Sequence, residues 1–304
     1  MKKSLQSSSC GWLCFDKPSG MSSSFAMTNV RKMFGENAGY VGTLDPLATG
    51  VLPIAIGKAR KFIQFVEESQ KRYVFTMVFG VTTNTLDSEG NITGKTNCIP
   101  NIAKLQSILG DFKGAIQQVP PVFSAIKIKG RRACDRVRHG ENVELLPRKV
   151  SIFDIHITDE DLRERCAVTL DITCSKGTYV RSIARDIAEK LGSLAYVKAL
   201  RRVRSGFFSA EDAISLEKLV GIRDIRELID VLLPIESPLD DIPALYLRKE
   251  DVVRLQSGVL VAFEHGIGSS SNVKIFDDFL GDFYGVAFAS EDGFLKPVRM
   301  LVRS

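Results

Sequence analysis

The run Gly42-Thr43-Leu44-Asp45-Pro46-Leu47-Ala48-Thr49-Gly50-Val51-Leu52-Pro53-Ile54 sets one carboxylate, Asp45, in a segment dense with conformational constraint. Pro46 lacks a backbone donor and turns the residue before it away from helix toward extended backbone. Gly42 and Gly50 permit sharp reversals or the close approach of another backbone. The hydroxyls of Thr43 and Thr49 can fix such a loop by local hydrogen bonds. An acid on a stiff loop, ahead of an apolar strand, suits a nucleophile or base that must be aimed at a substrate. An Asx-type turn before a buried strand would use the same residue types.

The nine residues from Gly42 to Gly50 match a signature of the bacterial tRNA pseudouridine synthases that modify uridine-55, and the chain resembles that family, the TruB family. Four more segments carry the resemblance in the family's order: DKPSGMSS (16–23), KRY (71–73), SKGTYVR (175–181) and LRR (200–202). Together they span roughly residues 11–205, about two-thirds of the chain, and five ordered motifs are a far more specific signal than one short pattern.

The resemblance implies the pseudouridine synthase reaction: the glycosidic bond of a uridine breaks, the uracil turns, and a carbon–carbon bond forms to the same ribose. Such an isomerisation calls for no redox cofactor or energy source. Asp45 takes the family's catalytic position and Arg181 that of a cation able to keep a buried carboxylate ionised. A base inside a folded loop must leave its stack to be reached, and aromatic faces replace the lost stacking. Tyr73 matches the family tyrosine that packs on the uracil and offers a hydroxyl for the proton leaving the base carbon. Tyr179 and Leu200 match further pocket residues, and Lys17 and Lys61 are candidates for phosphate or pocket contacts. Without the resemblance, Tyr73 and Leu200 fit plain core packing. One departure is clear. Where the family carries histidine five residues before the catalytic acid, this chain has Tyr40, which keeps a flat ring and a hydroxyl but cannot carry a proton near neutral pH.

The net charge of +5 is unevenly placed. Residues 127–149 hold eight basic side chains against three acidic ones, among them Lys127, Lys129, Arg131, Arg132 and Arg136. A second cluster, Lys198, Arg201, Arg202 and Arg204, contains no acid, whereas residues 241–304 carry seven Lys/Arg against nine Asp/Glu. The basic clusters fit contact with a phosphate backbone, here the T arm of tRNA, or else a solvated basic face.

The elements that must position these residues follow from pattern. We expect a strand at 12–15, a turn at 16–20, and a helix capped by Ser22 to Ser24, with Ala26, Val30 and Met33 on one face, ending near Gly35. Residues 73–80 read as a buried strand, 82–90 as a connecting loop and 101–109 as a helix closed by Gly110. Val119-Pro120-Pro121 opens an RNA-binding insertion at about 119–149, followed by strands at 150–157 and 166–174 and a helix from a Thr178 cap to Leu191. Residues 237–243 read as a linker, before a helix at 249–255 and short strands at 259–263, 273–276, 283–289 and 295–302. The expected architecture is α+β. It comprises a pseudouridine synthase catalytic domain at 1–240, with a mixed, mainly antiparallel central sheet, and a small β-rich, PUA-like domain at 243–304.

The 304 residues are of ordinary globular composition and contain no run long enough to span a membrane. The polar N-terminal nine residues lack the apolar stretch of a signal peptide and should fray. Six cysteines without a Cys-x-x-Cys pair and three scattered histidines (His139, His156, His265) argue against zinc and for reduced thiols. The chain is therefore expected to be a cytoplasmic, cofactor-free and metal-free monomer with no obligatory protein partner. A non-catalytic tRNA-binding or tRNA-folding module of the same fold is the alternative raised by Tyr40. A related enzyme working with guide RNA and accessory proteins is another. A glycoside hydrolase would need a second carboxylate, which the sequence does not mark.

Overall fold

The computed structural model describes residues 10–34, 37–162, 164, 166–263 and 270–301. The first nine residues, the helix stop expected at Gly35, His265 and the strand end expected at Val302 lie outside the described residues.

The chain opens with β1 (Gly11–Lys17), α1 (Ser23–Phe34), β2 (Ala38–Tyr40), β3 (Thr49–Ile56) and α2 (Ile63–Glu67). It continues through β4 (Lys71–Phe79), the hairpin β5 (Val81–Thr83) and β6 (Ile92–Lys95), α3 (Ile102–Leu109) and β7 (Gly114–Gln118). A small hairpin, β8 (Lys127–Ile128) and β9 (Arg131–Arg132), leads into α4 (Ala133–Arg138). Then come β10 (Arg148–Asp161), β11 (Ala167–Cys174), α5 (Val180–Lys190), β12 (Ala195–Ser205), β13 (Phe208–Ser209) and β14 (Ile214–Ser215).

Ten of these strands form one sheet in the order β14-β1-β3-β12-β4-β11-β10-β7, with β2 added to β3 and β13 to β12. Only β1 with β14 and β3 with β12 run parallel. The sheet is thus mixed and mainly antiparallel, as expected. Alternation explains the register: Phe75, Met77 and Phe79 of β4 are buried on one face while Val74, Thr76 and Val78 are half-buried on the other. The first face is covered by α1 (Ala26, Val30, Phe34), α3 (Leu105, Leu109) and α5 (Ile183, Ala184, Ile187) in the main core.

After two short helices, α6 (Leu216–Gly221) and α7 (Ile225–Asp230), the C-terminal region folds as β15 (Ala244–Leu247), α8 (Lys249–Gln256), β16 (Val261–Ala262), β17 (Ser271–Asp277), β18 (Phe283–Ala289) and β19 (Phe294–Met300). Its five strands form their own sheet, β15-β17-β18-β19-β16, the expected β-rich, PUA-like tail.

Three local expectations are corrected. Residues 82–90 are not wholly a connecting loop, because Val81–Thr83 pairs with Ile92–Lys95. Thr178 does not cap α5: Tyr179 stands at the N-cap, and the Thr178 hydroxyl donates to Ser175 O at 2.9 Å. The stretch 237–243 is no free linker. It makes a 3-10 turn at Ser237–Leu239 with Pro238 and Leu239 buried. Leu239 belongs to a second core, with Trp12, Val51 and Ala55 of the central sheet and Phe283, Val286 and Leu301 of the tail. Burial of each such large apolar side chain contributes about 1.5–3 kcal/mol, which outweighs the polar composition of the stretch.

Candidate active site

The Asp45 loop is held by the turn that carries the DKPSG motif. Gly20 N donates to Pro46 O at 2.9 Å, and Ser19 Oγ donates to Leu47 O at 3.1 Å. Ser23 Oγ both donates to Leu44 O and accepts from Leu44 N, each at 2.8 Å. The fixing hydroxyls are therefore those of Ser19 and Ser23, not Thr43 and Thr49. Lys17 completes the lock: it is fully buried, and its Nζ donates to Pro18 O, Met21 O and Pro46 O. Burial pushes its ammonium down to about 8, against nearby acids that work the other way. Lys17 is thus no phosphate contact; it ties two motifs together. Lys61 is not in the pocket either, since its Nζ donates to Met300 O at the edge of the tail.

Asp45 opens onto a cavity of about 540 Å³, a volume suited to a nucleobase and its sugar. Tyr73, Tyr179, Arg181 and Leu200 line it with Asp45, so the structure gathers these five sequence-predicted residues in one place. Tyr40 lies elsewhere: it pairs with Ile54 through β2 and packs half-buried against the main core. A larger cavity of about 750 Å³ opens near Arg72, Asp171, Arg204 and Phe207 but shares only Lys71 with the first. Its Arg72 and Asp171 satisfy one another in a two-pronged pair, leaving little free chemistry there.

Arg181 stands at the centre of the charge arrangement. Its Nε lies 2.9 Å from Asp45 Oδ2, and its Nη1 3.5 Å from Asp87 Oδ2. Nη1 also donates to Thr85 O at 2.7 Å and Nη2 to Phe123 O at 3.0 Å. A guanidinium with its fork so occupied cannot swing away. Burial raises the pKa of Asp45, the Arg181 charge pulls it back, and Asp87 pushes it up again; the result lies above the ordinary carboxylate range. Burial likewise raises the phenols of Tyr73 and Tyr179.

Asp87 was not legible in the sequence. It is buried on the turn after β5, where its Oδ1 accepts from Glu89 N at 3.1 Å and from the Thr85 hydroxyl. Its neighbour Leu86 has φ +62°, a conformation that costs a non-glycine residue energy and that marks an over-determined turn. The only sequence signal was an Asp among Thr and Ser residues in a stretch read as a loop. Gln118 was also missed. Its side chain accepts from Tyr179 N and donates to Tyr179 O, at 2.8 and 3.1 Å, fixing the pocket tyrosine to the start of the insertion.

The insertion divides in two. Its first residues are tied to α5 by Ser182 Oγ and Arg185 Nη2, which both donate to Val119 O. Beyond them Lys127, Lys129, Arg131 and Arg132 are exposed on the β8–β9 hairpin, while Arg136 pairs with Glu141 at 2.6 Å. Of the second basic cluster, Arg201 forms a two-pronged pair with Asp16. Arg202 corrects an expectation outright: at 1% exposure it offers no surface to a phosphate backbone and instead helps line the Asp45 cavity. Cross-strand alternation on β12 turns it inward, between Leu200 and Ser205, although its neighbours in sequence are basic.

Among the described residues no group of three or more His, Cys, Asp or Glu side chains could hold a metal, and no helix is long and apolar enough to cross a membrane.

Comparison with known proteins agrees with this geometry. The family model described as "TruB family pseudouridylate synthase (N terminal domain)" matches residues 31–180, and "tRNA pseudouridylate synthase B C-terminal domain" matches residues 181–240. The tRNA pseudouridine synthase B of Caulobacter vibrioides is 47% identical over 249 residues, 82% of this chain and 80% of that protein. Its counterpart in Ruegeria pomeroyi is 40% identical over 297 residues, 96% of each chain. Among solved structures, "Structure of H/ACA RNP bound to a substrate RNA containing 2'-deoxyuridine" aligns with 98% of this chain and 86% of that one at a TM-score of 0.72. At 22% identity it shares the fold alone. Five ordered motifs, a pocket that unites side chains from four of them, and relatives at this level of identity agree: the chain belongs to the TruB family of pseudouridylate synthases.

Proposed function

We propose that this chain isomerises uridine-55 in the T loop of tRNA to pseudouridine, without a cofactor and with Asp45 as the nucleophile. The carrying observation is the Asp45–Arg181 pair, 2.9 Å apart at the wall of a cavity flanked by Tyr73, Tyr179 and Leu200. The names of the relatives support tRNA as the substrate. The target base leaves its stack and enters the cavity, where the aromatic walls replace lost stacking at about 1–3 kcal/mol per base.

Inside, the Asp45 carboxylate bonds to the nucleoside as the C1′–N1 bond breaks, the uracil turns, and the bond to Asp45 is released as a C1′–C5 bond forms. The C5 proton leaves to the Tyr73 oxygen, whose own hydroxyl proton has passed to solvent, and N1 takes a proton from solvent. Atoms and charge balance with no outside reagent. Asp45 acts in its ionised form, and Arg181 supplies the charge that keeps that form accessible despite burial. The exposed cations of the β8–β9 hairpin grip the phosphates of the T arm.

The chain works as a cytoplasmic monomer on bare tRNA, with residues 1–240 as the catalytic domain and 243–304 as a PUA-like appendage. Incubation of the purified single chain with unmodified tRNA tests this reading: pseudouridine at position 55 supports it. No product without a guide RNA or an added protein would contradict it.

A further inference from the structure

Arg202 is a buried side chain that the reaction described above leaves without a task. It is 1% exposed, and among the described residues no carboxylate pairs with it. An arginine so placed loses its hydration, and carbonyl dipoles compensate only in part. Arg201 beside it faces outward and has Asp16 as a partner. The cost at Arg202 calls for a reason other than stability.

Its position supplies one. In the sheet, β12 lies between β3 and β4, and Arg202 pairs with Gly50 on one side and with Tyr73 on the other. Its Nε donates to Val51 O at 2.7 Å, just past the end of the Asp45 loop. Its Nη2 donates to Gly42 O at 3.2 Å, at the beginning of that loop. Tyr73, its partner across β12 and β4, lines the same cavity as Arg202 and Asp45.

The two glycines that bracket the catalytic loop exist in this geometry for the same side chain and its backbone. A Cβ on Gly50 (φ +99°) would stand 2.2 Å from Arg202 O, and one on Gly42 (φ +66°) would stand 3.1 Å from Arg202 Nη1. Both glycines thus admit Arg202 as well as permitting the turn.

We infer that Arg202 is a positioning residue for the isomerisation, one guanidinium that holds both ends of the Asp45 loop in register with Tyr73 on the neighbouring strand. Its guanidinium lies at the wall of the cavity, but its donors are spent on the carbonyls of the loop. It sets the distance between the acid that opens the reaction and the phenol that receives the C5 proton at its end. Its charge also opposes the effect of burial on that phenol and favours the negative charge that gathers on the oxygen before the proton arrives. The inference rests on the roles proposed above for Asp45 and Tyr73.

The test compares wild type, Arg202→Lys and Asp45→Asn on tRNA carrying either ordinary or C5-deuterated uridine at the target. Lysine keeps the charge but has a single ammonium that cannot span both loop ends. Arg202→Lys should bind tRNA within about threefold of wild type and lose about 10²-fold in single-turnover rate, the scale of a 1 Å misplacement. Its deuterium isotope effect should exceed that of wild type, because proton removal from C5 becomes slower relative to the other steps. Loss of packing alone would not raise an isotope effect.

A rate within about threefold of wild type would overturn the inference, as would a rate loss with an unchanged isotope effect. So would a loss confined to tRNA affinity. Should Arg202→Lys not fold, Gly42→Ala displaces the same guanidinium by a methyl group and is read against the same outcomes. If Asp45→Asn still makes pseudouridine, the functional reading itself fails. If Asp45→Asn is inactive and Arg202→Lys behaves as wild type, only the role of Arg202 fails.

Discussion

Asp45 and Asp87 compete for one guanidinium. Arg181 is 2.9 Å from the first and 3.5 Å from the second, and the second is the more deeply buried. Asp87 draws on the same cation from its other side, and its own charge opposes the ionisation of Asp45. Asp87→Asn should leave tRNA affinity unchanged and lower the single-turnover rate by about 10²-fold, as Arg181 shifts relative to Asp45. Because Asp45 is raised above its ordinary value and acts ionised in the proposed reaction, the rate should fall on the acid side at a higher pH than for an unperturbed Asp. A rate flat down to the ordinary carboxylate range would contradict this. The same shift fixes a stability sign. The folded state binds this proton more tightly than the unfolded chain, so stability falls as pH rises from the unfolded pKa to the raised folded one, and the cost persists at neutral pH. Asp45→Asn removes that cost, and its melting temperature at neutral pH should equal or exceed that of wild type.

At the scale of elements, motifs far apart in sequence prove to be one structural unit. The DKPSG turn, Ser23 and Lys17 clamp the Asp45 loop; Gln118 and Phe123, from either side of the Pro-Pro break, clamp Tyr179 and Arg181. The β8–β9 hairpin, by contrast, makes its cations available. Replacing Lys127, Lys129, Arg131 and Arg132 together by Ser should weaken tRNA binding and flatten its dependence on salt, by a slope of about 0.7–0.9 per lost phosphate contact. The rate at saturating tRNA should hold, and the melting temperature should change little, since all four side chains are exposed. An unchanged salt slope would assign the RNA grip to another surface. These contrasts mark what the sequence could and could not say. Strands with alternating burial, such as β4, and helices with a clear apolar stripe, such as α5, were legible because their periodicity is local. Asp87 and Gln118 were not, because each matters through a partner that no spacing reveals: Asp87 lies 94 positions before Arg181 and Gln118 lies 61 before Tyr179. Arg202 was misread because composition marks a basic cluster, whereas burial alternates residue by residue along a strand.

Over the whole molecule, the tail is more than an appendage. Phe283, Val286 and Leu301 pack with Trp12 and Val51, and Val51 follows the Asp45 loop directly. Residues 241–304 carry seven Lys/Arg against nine Asp/Glu and so add little electrostatic grip on RNA. A chain ending at residue 240 should therefore melt at a lower temperature than the full chain, with only a modest loss of tRNA affinity by filter binding. An unchanged melting temperature would show that the shared core carries no weight. A loss of affinity on the order of a thousandfold would show that the tail holds several phosphates.

The central claim is that Asp45, held by Arg181 in a pocket walled by Tyr73, Tyr179 and Leu200, is the nucleophile of a tRNA uridine isomerisation. Mapping pseudouridine in tRNA treated with wild-type protein and with Asp45→Asn tests it most directly. Wild type should convert position 55, and Asp45→Asn should bind the same tRNA and convert none. Pseudouridine made by Asp45→Asn, or none made by wild type, would contradict the claim.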